Sequence, residues 1–138
     1  MNANGTKKRT VLVTGASSGL GKELARLFAA DGHDVILVAR TEAKLRARAA
    51  ELETAHANQS VKAHVVVADL GVAEGAKRVF DAVTALGVDV DFLVNNAGFG
   101  TNGAFLDLDL GRELEMLQVN CASLLELTHR FGRGMRAR

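Results

Sequence analysis

The chain predicts an α/β fold, a doubly wound parallel sheet of about four strands with helices on both faces. Short β-branched runs alternate with helical patterns, the arrangement that builds a parallel sheet covered on both sides. Each run is nearly continuously apolar, as strands buried on both faces are. The first run passes directly into a glycine-rich loop that opens a helix, the local signature of an anion-binding turn.

Strands are expected at about Thr10–Thr14, Val35–Ala39, Val61–Ala68 and Phe92–Asn95, and helices near Gly19–Ala30, Glu42–Ala57 and Val72–Leu86. Asp31-Gly32 ends the first helix, Thr41 can cap the second and Gly87 closes the third, so punctuation agrees with periodicity. A last helix should run from about Gly111 towards the C-terminus. On it Leu114, Leu117, Cys121, Leu124, Leu125, Thr128, Phe131 and Met135 fall on one stripe. Cys121 reads there as a small buried hydrophobe. The expected strand order is 3-2-1-4, with the fourth strand on an open edge.

A length of 138 residues with 48% hydrophobic composition suits one domain, residues 1–138, with an ample core. Net charge +1, from 17 basic and 16 acidic residues, gives no bulk attraction to nucleic acid or an anionic membrane. A single cysteine excludes an internal disulfide, and the polar start MNANGTKKRT has no apolar stretch of the secretory kind. A cytoplasmic location is the expectation. No apolar run approaches membrane-spanning length, and histidines 33, 56, 64 and 129 lack metal-ligand spacing; no metal is expected.

Thr14 to Gly21 reads TGASSGLG. The first glycine allows a sharp exit from the strand, the second lets backbone approach phosphates, and the third lets helix pack close to strand. Gly15, Ser17, Ser18, Gly19, Leu20 and Gly21 are therefore the loop residues expected to meet a nucleotide pyrophosphate. A nucleoside-triphosphate loop is the nearest rival. It requires glycine where Ala16 stands and Ser or Thr where Glu23 stands, so it fails. Nineteen residues beyond Gly21 lies Arg40, where dinucleotide folds read the ribose. Arginine pairs with a 2′-phosphate and offers a 2′-hydroxyl no acceptor, which favours NADP(H) over NAD(H); the alternative is a solvated arginine at a strand end.

TGASSGLG, then Asp69-Leu70 after the third strand, then Asn95-Asn96-Ala97-Gly98 after the fourth, resemble the short-chain dehydrogenase/reductase family from Thr10 to Arg138. The resemblance implies a Rossmann-like fold and an NADP(H)-dependent oxidoreductase acting on a small carbonyl or alcohol. By it, Asp69 bonds the adenine amino group, Leu70 lines the adenine pocket, and Asn96, Ala97 and Gly98 pass beside the cofactor ribose. Asn120 matches the helix asparagine that holds a water in the proton relay. Asp69 read by itself fits equally a charge at a helix N-terminus, and Asn120 a satisfied core amide.

The chain departs from the family in having no tyrosine and no lysine after Lys77, so the family's Tyr-x-x-x-Lys pair is missing. The serine-bearing fifth strand is missing too, and Ser123, in a helix, cannot replace it. The expectation is therefore a cofactor-binding part that stops before the catalytic region. Two alternatives stay open: an inactive nucleotide-binding module, and a structural fragment that dimerises to cover its open sheet edge and leucine-striped helix. Self-association into a homo-oligomer is expected.

Overall fold

In the computed structural model, which describes residue 5 and residues 7–138, the elements run β1 (Thr10–Thr14), α1 (Gly19–Ala30), β2 (Asp34–Ala39), α2 (Glu42–Ala55), β3 (Ala63–Val67), α3 (Gly75–Ala85), β4 (Phe92–Val94), α4 (Leu110–Leu117) and α5 (Leu124–Ala137). A π-helical turn, Gln118–Ser123, joins α4 to α5. The four strands are parallel in the order β3-β2-β1-β4, the order expected from the sequence. Val11 lies beside Val35 on one flank and Phe92 on the other.

The alternating strand pleat sends apolar residues to both faces, which explains the unbroken apolar runs. Val11, Val13, Val35 and Leu37 join Ala25 and Ala29 of α1 and Leu45 and Leu52 of α2. Leu12, Ile36 and Val38 face the other way, onto Val79 and Val83 of α3 and Leu127 and Phe131 of α5. Gly32 and Gly87, at φ +82° and +68°, close α1 and α3 in the left-handed region that glycine enters freely.

Helix α3 begins at Gly75 rather than at Val72. A Cβ on Gly75 would overlap the Asp69 carbonyl oxygen, so the chain turns tightly over 69–74 before the helix starts. The residue capping α3 is Glu74, not Asp69. The Asp69 Oδ1 instead accepts a hydrogen bond from the Gly71 N–H at 2.8 Å.

The last helical segment corrects two expectations. Cys121 is exposed, not buried, and the single stripe does not hold. Leu114, Leu117, Leu124 and Leu125 face outward, whereas Phe131 is buried in the core and Met135 packs against it. The core-facing row is Ser123, Leu127 and Phe131, four residues apart. Which side of the helix is buried is set by its packing on α3 and the sheet, where Leu127 and Phe131 join Val79 and Val83, and helical periodicity alone does not state that side. Ser123, fully buried, is satisfied by donating to the Leu70 carbonyl at 2.8 Å.

Candidate functional site

At the carboxyl end of the sheet, β1 leads into the glycine loop. Gly15 leaves the strand at φ +65° and Gly19 enters α1 at φ +55°, with open space where its Cβ would be. Ser18, the residue capping α1, is extended and makes no side-chain bond to the helix, and the first turn holds no acidic residue. The first-turn N–H groups thus keep their capacity for an external anion. Gly21 lies beneath the loop, where a Cβ would collide with the Gly15 carbonyl oxygen and the Asn96 amide. Gly21→Ala is therefore expected to destabilise the chain by about 1–3 kcal/mol, the usual cost of overpacking. Denaturant unfolding checks this, and an unchanged midpoint would show that the loop is slack.

The loop forms one wall of a cleft of about 600 Å³. Of the residues expected from sequence to bind, Gly15, Ser17, Ser18, Leu20, Arg40, Asp69, Leu70, Asn96, Ala97 and Gly98 line it, while Gly19, Gly21 and Asn120 do not. Thr14 holds the floor together. Its buried hydroxyl accepts from the Asn96 and Ala97 N–H groups at 3.0 and 2.9 Å, and the Asn96 side-chain amide donates to the Thr14 carbonyl at 2.9 Å. These hydrogen bonds tie the β1 exit to the loop after β4.

Asn120 sits in the π turn. Its Oδ1 accepts from the Phe99 N–H at 3.1 Å and its Nδ2 donates to the Phe99 carbonyl at 2.8 Å. The mid-helix amide is thus paired with backbone on both sides, tying the helix to the segment after Gly98. A Cβ on Gly98 would approach the Asn120 Oδ1 to 2.9 Å, so the glycine admits this clamp.

The cleft lining also includes residues not expected to bind, among them Lys44, Phe99, Arg112 and Glu115. The Arg112 guanidinium stacks 3.8 Å from the Phe99 ring centroid and pairs with Glu115 at 2.6 Å. Glu115 also lies 3.5 Å from Arg40. Only the i,i+3 spacing of Arg112 and Glu115 is visible in the sequence, and it reads as an ordinary solvated pair. On the outer face of α1, the hydrogen bond from Arg26 holds the Glu23 carboxyl below its usual range.

The cleft fits a dinucleotide's adenosine and pyrophosphate on structural grounds. An open glycine cradle meets an uncapped helix N-terminus, and Arg40 and Lys44 stand on the neighbouring rim. A parallel sheet in this order, with its glycine turn feeding α1, defines a Rossmann-type α/β fold. The family described as short chain dehydrogenase matches residues 9–138, and the chain belongs to that family.

Similar proteins include an uncharacterized oxidoreductase of Bacillus subtilis, 35% identical over 123 residues, covering 89% of this chain and 44% of that protein. A very-long-chain 3-oxoacyl-CoA reductase of Pyricularia oryzae is 36% identical over 126 residues, covering 90% and 38%. L-sorbose reductase from Gluconobacter frateurii, solved with NADPH and L-sorbose, superposes with a TM-score of 0.87 at 30% identity, covering 97% of this chain and 50% of that one. The chain thus spans about half the length, or less, of these proteins. Among the described residues, no helix is long and apolar enough to cross a membrane.

Proposed function

We propose that the chain is the cofactor-binding domain of an NADP(H)-dependent short-chain reductase acting on a small carbonyl or alcohol, with residues 1–138 as one dinucleotide-binding unit. Arg40 carries this reading: it lines the cleft at the end of β2, where an acidic residue would be needed to accept a ribose 2′-hydroxyl. The NADPH bound to the sorbose reductase agrees with it.

Gly15, Ser17, Ser18, Gly19 and Leu20 take the pyrophosphate side, and Gly21 holds α1 close beneath them. Asp69 and Leu70 take adenine, and Asn96, Ala97 and Gly98 pass the ribose. Asn120 positions the segment after Gly98 and, in a longer chain, orients a water for proton transfer. The nicotinamide cofactor supplies hydride when bound. Isothermal titration of the chain with NADP⁺ and NAD⁺ tests the reading. Tighter binding of NADP⁺ is expected, and equal or tighter binding of NAD⁺ would overturn it. A cytoplasmic location belongs to the same proposal and rests on the single unpaired Cys121.

The outward face of the last helices favours an additional reading, association with a second copy of this chain. Leu114, Leu117, Leu124 and Leu125 are 40–70% exposed, and a symmetric dimer is the commonest way for one patch to bury itself. Sedimentation at micromolar concentration should find dimers, and Leu124→Lys should shift them to monomer or aggregate. A monodisperse wild-type monomer at high concentration would contradict this, because ~25 cal/mol per Å² of apolar surface would stay in water.

A further inference from the structure

The carboxylate of Glu115 is held between two arginines at the rim of the cleft. Its Oε2 is 2.6 Å from the Arg112 Nη1, and its Oε1 is 3.5 Å from the Arg40 Nη1. The two contacts are unequal in what they fix. Glu115 is 27% exposed and anchored by Arg112, which is itself stacked on Phe99. Its side chain also rests on Gly71, where a Cβ would come within 2.9 Å of the Glu115 Cγ. Arg40, which also lines the cleft, is 64% exposed and touches the carboxylate only at the longer distance, so most of its side chain stays open to an incoming ligand. Lys44 lines the same cleft with no ion pair among the described residues.

We infer that Glu115 is a specificity-determining counter-ion: a fixed carboxylate that a phosphate arriving at Arg40 must overcome, while an unphosphorylated ribose need not. This rests on Arg40 reading the 2′-phosphate. A phosphate monoester brings a charge of roughly −1.5 to −2, so repulsion from Glu115 falls selectively on the phosphorylated ligand. Glu115 thereby lowers the preference that Arg40 and Lys44 create.

The probes are 2′,5′-ADP and 5′-AMP, titrated calorimetrically into the 138-residue chain. Glu115→Gln keeps the shape and removes the charge. At low salt it should tighten 2′,5′-ADP by roughly 3–10-fold, the scale of one like charge about 6 Å away at a partly solvated site. It should change 5′-AMP less than about twofold, since that ligand places no phosphate beside Arg40. The gain should shrink at ~0.5 M salt and vanish in an Arg40→Ala background. Glu115→Ala should act in the same direction, which guards against a defect peculiar to glutamine. Unchanged 2′,5′-ADP binding in both variants, with Arg40→Ala still weakening it, would overturn this inference and leave the Arg40 reading standing. Weaker 5′-AMP binding in both variants would overturn it as well, by showing that Glu115 accepts the ribose hydroxyl. If Arg40→Ala leaves 2′,5′-ADP binding unchanged, or the wild type binds none at millimolar concentration, the Arg40 reading falls and the inference with it.

Discussion

The 138-residue chain is expected to show no NADPH-dependent carbonyl reduction above a buffer control, for small ketones and aldehydes alike. A proton must reach the carbonyl oxygen as hydride arrives at carbon, and a positioned acid supplies about 10²–10⁴-fold in rate. The chain holds no tyrosine, and its last lysine, Lys77, lies on α3 paired with Asp81 at 2.6 Å. The titratable side chains of the cleft are Arg40, Lys44, Asp69, Arg112 and Glu115. They stand beside β2, the loop after β3 and α4, on the proposed adenosine side. Asn120 spends both amide atoms on the Phe99 backbone and cannot itself act as an acid. The loss of NADPH absorbance, followed with and without protein, measures the effect. Turnover at the rate of an intact reductase would show that another group, inside or outside the cleft, delivers the proton.

The parts of the fold legible in the sequence are those set by local chemistry. β1 and α1 lie where the apolar run and the glycine loop place them, because Gly15 and Gly21 permit a backbone path closed to other residues. The strand order follows from the dinucleotide-binding pattern of the glycine loop after the first strand, since crossover rules fix only the handedness of the connections. The illegible parts depend on contacts distant in the chain. Gly75 starts α3 late because it packs on Asp69, an approach that periodicity cannot express. Beyond the π turn, α5 itself carries both an outward pair, Leu124 and Leu125, and an inward pair, Leu127 and Phe131, and Ser123 at the end of the turn extends the inward row. A single helical stripe merges the two rows and buries Cys121. Glu115 meets Arg40 across 75 positions of sequence, so neither residue type nor spacing betrays the pair.

Reversing the charge at the end of β2 gives the second large effect. Arg40→Asp should weaken NADP⁺ binding by about 1.5–3 kcal/mol, the scale of a lost charge-assisted hydrogen bond, or roughly tenfold to over a hundredfold in Kd. Two contributions act together. The guanidinium of a cleft-lining residue is removed, and a carboxylate is placed where the 2′-phosphate would approach, with Glu115 already nearby. NAD⁺ lacks that phosphate, and an aspartate at this position can accept its 2′-hydroxyl, so NAD⁺ affinity should hold or improve. Arg40 is exposed, and among the described residues its one ion pair is the 3.5 Å contact with Glu115, of the exposed kind that contributes about 0–1 kcal/mol to stability. The substitution should therefore leave the unfolding midpoint nearly unchanged, which separates a binding effect from a folding one. Titration of both cofactors into both proteins decides the matter. Equal losses for NADP⁺ and NAD⁺ would mean that Arg40 supports the cleft as a whole and does not read the phosphate. A selective loss for NADP⁺ would fix the ribose end of the site at the carboxyl terminus of β2.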